Sequence, residues 1–216
     1  MSRTGNLSKL QHPRFARIYE RTSAESERRG TAERRDRVLN GLSGRVIEVG
    51  AGNGMNFAHY PVEVAEVVAI EPDDHLRGLA ERAAADAKVP VRVVAGHATA
   101  LPIEDASFDA AVASLVLCSV TDVPAALAEL RRVLKPEGEL RFFEHVRSNK
   151  PWFALIEDAI TPLWSRMGGG CHPNRDTASA IRAAGFDIQT IDRFNYAPLR
   201  FVPAHAHILG VARPAK

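Results

Sequence analysis

The sequence predicts an α/β fold in which a doubly wound, mostly parallel sheet carries helices on both faces. Three observations support this expectation. Residues 45–54 run from β-branched apolar residues (Val46, Ile47, Val49) straight into alternating glycines, as a buried parallel strand does when it ends in a tight turn. Apolar runs at 64–70, 91–94 and 110–114 alternate with stretches at 76–87 and 124–134 where apolar residues recur at helical spacing. Glu71, followed by Pro72, closes the second apolar run at the carboxyl end of a strand, where open parallel sheets bind ligands.

With 216 residues and 45% apolar content, the chain can bury one sizeable core, and one globular domain is expected. The net charge is only +2 but uneven: residues 1–40 hold ten Lys/Arg against five acids, so a basic leader precedes a slightly acidic body. The leader reads as a solvated helical face, with peripheral contact to an anionic membrane left open. No aromatic residue interrupts residues 28–37, so there is no platform for stacking bases, and nucleic acid is not an expected partner. Cys118 and Cys171 are the only cysteines and sit in no CxxC or His-rich spacing, which argues against a disulfide framework and against a metal. A signal-peptide core is lacking, as is any run of about twenty apolar residues, so a cytoplasmic protein without a transmembrane segment is expected.

In chain order, residues 1–10 are polar and small and are expected to be loosely ordered. Phe15, Ile18 and Tyr19, followed by a charged stretch to Val38 and Leu39, predict two helices separated near Gly30. After the glycine turn, residues 55–60 read as first helical turns that Pro61 interrupts. Residues 64–70 form the second strand, 76–87 a crossover helix, and 91–94 the third strand. The fourth strand, 110–114, reads as continuing through 115–120. Helix 124–134 is stopped by Lys135-Pro136-Glu137-Gly138, and 139–144 give the fifth strand. Residues 152–170 are rich in aromatic and apolar side chains and read as an insertion of one or two helices, which three successive glycines (Gly168, Gly169, Gly170) turn back. A last helix over 175–184 and strands at 188–194 and 208–213 complete the chain, without internal repeats.

The glycines also restrict the ligand. Gly50, Gly52 and Gly54 present bare backbone to a flat molecule, but a dinucleotide fingerprint would need its third glycine at Met55. The spacing is G-x-G-x-G instead. A carboxylate at Glu71 can accept two hydrogen bonds from vicinal ribose hydroxyls; a solvated strand-end acid is the alternative.

Through Glu48-Val49-Gly50-Ala51-Gly52-Asn53-Gly54 and Val67-Val68-Ala69-Ile70-Glu71-Pro72, the sequence resembles the class I S-adenosylmethionine-dependent methyltransferases. The string Leu130-Arg131-Arg132-Val133-Leu134-Lys135-Pro136-Glu137-Gly138 is similar to their helix-turn-strand. The resemblance implies a Rossmann-like, seven-stranded sheet with an antiparallel last strand. It divides the chain into a helical leader or lid (1–40) and a methyltransferase domain (41–216) with a substrate roof at about 150–175. It implies S-adenosylmethionine as cofactor, held by Glu48, Gly50, Ala51, Gly52, Asn53, Gly54 and Asn56 around the turn and by Glu71 and Pro72 at the ribose. Many relatives have an acid where His97 stands, so His97 and Ala98 are the adenine candidates here, and Ser114 and Leu115 face the methylthio end. On the substrate side it implies Phe15 and Tyr19 from the leader, Cys118 and Ser119 after the fourth strand, and Trp152 and Trp164 in the roof. Plain helix packing is the alternative for Phe15 and Tyr19, and a small buried apolar residue is the alternative for Cys118.

Residues 115–120, Glu144-His145-Val146, Pro162-Leu163-Trp164 and Gly170-Cys171 narrow the resemblance to the thiol S-methyltransferases of the methyltransferase-like group. Those relatives carry an apolar membrane anchor ahead of the domain, where this sequence has a polar, Arg-rich leader. The expected reaction is methyl transfer to a small, apolar acceptor, with thiol S-methylation favoured. C- or O-methylation of a quinone, lipid or other natural product is the second reading, and a silent S-adenosylmethionine-binding module the non-enzyme one. A base-flipping motif of nucleic-acid methyltransferases is absent from 114–119. A sulfonium methyl is already activated, so the protein aligns a nucleophile and excludes water. A thiol of pKa about 8.5 needs little help from a base. His145 is the first candidate for that base and His172 the second, with a satisfied strand-end histidine and a turn residue as their alternatives. A monomer or homodimer is expected.

Overall fold

The computed structural model describes residues 7–215. The expectation for residues 1–10 falls partly on 1–6, which lie outside the described residues; Leu7–Leu10 form a 3-10 turn. Helix α1 spans Pro13–Ser26 and starts on a proline, whose missing N–H is no loss in a first turn. One wide turn, Glu27–Thr31, leads to α2, Ala32–Leu39, and the kink falls on Gly30 at φ 114°, as the sequence predicts.

A seven-stranded sheet follows, in the order β3-β2-β1-β4-β5-β7-β6. Its strands are β1 Gly44–Val49, β2 Val64–Glu71, β3 Val91–Ala95, β4 Phe108–Ser114, β5 Leu134–His145, β6 Phe186–Tyr196 and β7 His205–Pro214. The first five are parallel to one another, whereas β7 runs antiparallel between β5 and β6. A side chain at Gly210 would run into the Thr190 carbonyl and the Phe142 ring, so β7 enters this slot only because that position lacks one. Helices α3 (Asp74–Ala85), α4 (Val123–Val133), α5 (Pro151–Met167) and α6 (Thr177–Ala183) complete the fold.

Strict alternation along the strands makes two cores. Ile47, Val49, Val68, Ile70 and Phe142 face Leu127, Leu130 and Val133 of α4 and Ile181 of α6. Val46, Val67, Ala69 and Phe143 face Val38 and Leu39 of α2 and Ala80 of α3. Each fully buried Leu or Ile stabilises this sandwich by roughly 1.5–3 kcal/mol.

Three local expectations are corrected. No α-helix follows the glycine turn: only the 3-10 turn Phe57–His59 forms before Pro61. The fourth strand ends at Ser114, because Leu115 adopts φ 58° and turns the chain. Strand β5 begins directly from α4 at Leu134, ahead of the Pro136-Glu137-Gly138 stop. Among the described residues no helix is long and apolar enough to cross a membrane.

Candidate active site

A cavity of about 520 Å³ opens at the carboxyl ends of β1, β2, β3 and β4. Its size suits a small molecule. Gly50, Gly52, Glu71, Pro72, His97, Ala98, Ser114, Leu115, Ser119, Phe15 and Tyr19, all singled out in the sequence, share this wall.

The glycine turn forms one side. The amides of Gly50 and Ala51 donate to the Ile70 carbonyl at 2.8 and 3.1 Å, fastening the exit of β1 to β2. Gly50 has φ 65°, and a Cβ there would strike Val116, so its bareness lets the loop after β4 close against the turn. Glu71 ends β2 with Oε2 accepting from Gly52 N at 2.7 Å and Oε1 from Asp73 N at 2.9 Å. Burial pushes its pKa up to about 7 despite those two amides.

Leader and sheet are laced together at this point. Gln11 donates to the Pro72 carbonyl at 2.8 Å, and His12 N to Asp73 Oδ2 at 2.9 Å. Asp73 caps α3 through Oδ1, accepting from His75 N at 3.0 Å and Leu76 N at 3.1 Å. Phe15 and Tyr19 stack with ring centroids 5.7 Å apart, Tyr19 over Gly52 and Phe15 over Gly169.

The loop after β4 forms the other side. Leu115 N donates to the Phe143 carbonyl at 2.6 Å. Then Val116, Leu117 and Cys118 all donate their amides to the buried Glu144 carboxylate, at 3.1, 2.9 and 3.1 Å. This loop presents Val116, Ser119, Val120 and Thr121 to the cavity, and Gly169 and Gly170 join it from the turn after α5.

The methyltransferase domain family matches residues 47–142. Human thiol S-methyltransferase TMT1B is 34% identical over 180 residues, 81% of this chain and 73% of that protein. The chain belongs to the S-adenosylmethionine-dependent methyltransferases. A demethylmenaquinone methyltransferase from Renibacterium salmoninarum is 38% identical over 96 residues, 44% of this chain and 39% of its own. The solved structure of a Thermotoga maritima methyltransferase, titled a possible histamine N-methyltransferase, superposes with a TM-score of 0.71 at 22% identity, covering 98% of this chain and all of that one (100%).

The methyltransferase's walls fit such a cofactor. Each Glu71 oxygen accepts one amide and keeps a lone pair for a hydroxyl donor, and the bare backbone of Gly50 and Gly52 admits close approach. His97 accepts or donates at Nδ1 with the Thr99 hydroxyl, 2.7 Å away, on the β3 side of the cavity.

Other residues lie elsewhere than the sequence implied. Glu48 does not line the cavity: it is buried behind the turn, accepting from Asn56 Nδ2 at 2.8 Å and Tyr60 OH at 2.7 Å. Asn56 in turn accepts from Arg35 at 2.6 Å, so Glu48 and Asn56 brace the turn against α2. Desolvation pushes the Glu48 pKa up to about 7. Asn53 donates to Ser23 of α1 at 3.0 Å, and Ala51 and Gly54 sit behind the cavity wall.

His145 is also out of the cavity. Its ring stacks on His207 and packs at a tilt against His205, at centroid distances of 5.2 and 4.0 Å, with Nδ1 3.5 Å from the Cys171 thiol. Burial and its two histidine neighbours push its pKa down to about 2, which unfits it as a general base. His172 holds its Nδ1 against the Gly170 carbonyl at 2.6 Å and donates its amide to the Cys118 carbonyl at 2.8 Å, acting as a turn fastener. Cys118 is buried behind Ser119, its thiol pKa pushed up by a hydrogen bond with Cys171 and by burial. The roof is corrected in part: Gly169 and Gly170 of that segment reach the cavity, but α5 contributes no wall, Trp152 is 62% exposed, and Trp164 turns its indole toward Gly168 and Cys171.

Sequence reasoning missed Lys9, His12, Asp73, Thr99 and Thr121 in the cavity wall, and the clamp made by Glu144. Asp73 was legible as an N-cap two residues before His75; the others depend on which loops meet.

Proposed function

We propose that the protein transfers the methyl group of S-adenosylmethionine to the sulfur of a small, apolar thiol. The observation that carries this reading is the likeness to human thiol S-methyltransferase TMT1B over 81% of the chain, against 44% for the demethylmenaquinone methyltransferase. The chemistry of the β4 side of the wall supports it, the titratable groups Lys9, His12, Tyr19, Glu71, Asp73 and His97 lying on the leader, β2 and β3 sides. Among the described residues, the loop after β4 and the Gly169-Gly170 turn bring hydroxyls, methyls and backbone to the cavity but no titratable side chain. An acceptor of pKa about 8.5 supplies its own nucleophile near neutrality, whereas an alcohol or carbon acid needs a strong base.

In this reading the cofactor supplies a methyl already activated on a sulfonium. Glu71 holds the ribose hydroxyls, His97 and Ala98 border the adenine, and Ser114 and Leu115 border the methyl end. Phe15 and Tyr19 of the leader close the cavity and exclude water. The test is titration calorimetry with S-adenosylmethionine, then single-turnover assays of thiol, phenol and quinone acceptors scored for S-adenosylhomocysteine. Transfer to a small alkyl or aryl thiol in preference to the oxygen and carbon acceptors is expected. Preference for a quinone overturns the sulfur assignment, and binding without transfer to any acceptor would favour a silent binding module.

A further inference from the structure

Helix α5 is inside out. Its buried residues are Ala154, Glu157 and Thr161, one stripe at helical spacing. Glu157 Oε2 is spent on the Ser148 amide at 2.8 Å, and Thr161 Oγ1 on the Glu157 carbonyl at 2.6 Å. The outer side carries Trp152 (62% exposed), Leu155 (67%), Leu163 (63%) and Met167 (66%), with Ile156 and Ile160 at 45% each between them. A water-facing helix shows the reverse pattern, and so long a row of large apolar side chains marks a surface that something covers.

Charge indicates what covers it. Lys150 at the start of α5 and Arg166 in its last turn are exposed, while the one exposed acid of the helix, Asp158, is neutralised by Arg147 at 2.7 Å. The adjoining α1 adds Arg14, Arg17 and Arg21 around the half-exposed Ile18, and none of these three arginines makes an ion pair among the described residues. Phe15 of α1 packs against Gly169 in the turn that follows α5, at the cavity mouth. Aliphatic and indole side chains bordered by unneutralised cations match the chemistry of an acyl-chain boundary beneath anionic head groups.

We propose that the outer face of α5 docks on the surface of an anionic lipid bilayer, with α5 lying in the plane of the interface and the arginines of α1 contributing electrostatic attraction. At 1.5 Å per residue, the 17-residue helix lays a strip about 25 Å long against the lipid. This docking does not depend on which acceptor the enzyme methylates.

The test is co-sedimentation of the full chain with phosphatidylcholine vesicles, with and without phosphatidylglycerol, for the native protein, Leu155→Glu/Leu163→Glu and Arg14→Gln/Arg17→Gln/Arg21→Gln. Circular dichroism melts check that both variants stay folded. The native protein is expected to partition onto the anionic vesicles and to be released by salt. The double Glu variant is expected to lose at least about tenfold in partition coefficient, and the triple Gln variant to lose most of the salt dependence. Absence of the native protein from the vesicle pellet, or equal partition by native and double Glu proteins, overturns the proposal. So does a dimer in sedimentation velocity that the Glu substitutions convert to monomer, since the face then belongs to a second copy.

Discussion

The two walls of the cavity use buried carboxylates in opposite ways. On the β1–β2 side, Glu71 comes to the surface of the cavity with part of its accepting capacity open. On the β4–β5 side, Glu144 is hidden behind the loop it holds, and its oxygens are committed to three consecutive amides. Glu48 lies between these extremes, fully buried yet serving only Asn56 and Tyr60. Burial raises the pKa of all three, so a raised pKa does not separate a binding carboxylate from a bracing one. What separates them is whether anything but protein stands in front of the oxygens.

The strongest way to break that comparison is Glu144→Ala. Stranding three buried amides is expected to cost about 3–5 kcal/mol of stability, read as a lower urea midpoint; a loss below about 1 kcal/mol would mean the loop holds itself. Glu71→Ala is expected to weaken S-adenosylmethionine binding by roughly 100-fold in calorimetry, two charge-assisted hydrogen bonds being lost, while the melting temperature moves by only a few degrees. Equal affinity would place Glu71 among the bracing acids.

The proton on Glu71 sharpens the same contrast. With a pKa near 7 against an ordinary 4.5, the folded state holds a proton that the unfolded state has released, so this group's contribution to stability is present below 4.5 and lost as pH rises through 7. Hydroxyl donors favour the ionised form, so cofactor affinity is expected to rise up to about tenfold from about pH 6 to 8, and Glu71→Gln should flatten that rise. The smallest effect is expected at the other end of the sheet. Lys135 pairs with Asp109 at 2.6 Å in a partly exposed bridge, and Lys135→Ala should change stability by less than about 1 kcal/mol and leave cofactor affinity unchanged. A clear loss of affinity would show that the far end of β4 controls the cavity.

What was legible in the sequence follows from the same physics. Gly50, Gly52, Glu71 and Pro72 answer to backbone conformation and strand-end position, requirements that fix residue types at fixed offsets. The sheet was legible because β1, β2 and β4 are buried on both faces and therefore read as continuous apolar runs. The direction of α5 was not: helical spacing reveals two faces but not which one meets the protein, and Ala154, Glu157 and Thr161, not the roof candidates Trp152 and Trp164, take the inner stripe. His145 failed for a related reason. Strand-end position predicts nearness to the cavity, but β7 brings His205 and His207 against the ring, and a contact between strands so distant in sequence leaves no local trace.

The slot that Gly210 opens for β7 has a consequence for how the chain assembles. Strand β6 pairs only with β7 among the described residues, so it has no place on the sheet until its successor is made. Contacts between β6 and β7 are local in sequence and such contacts close quickly, so the hairpin is expected to form before it docks on β5. Until docking, the stretch of β5 that β7 covers, Leu140 to His145 with Phe142 and Phe143 within it, is an open edge. An open edge of this kind is prone to aggregation, so a variant that delays the hairpin is expected to reduce soluble yield before it reduces the stability of the finished enzyme.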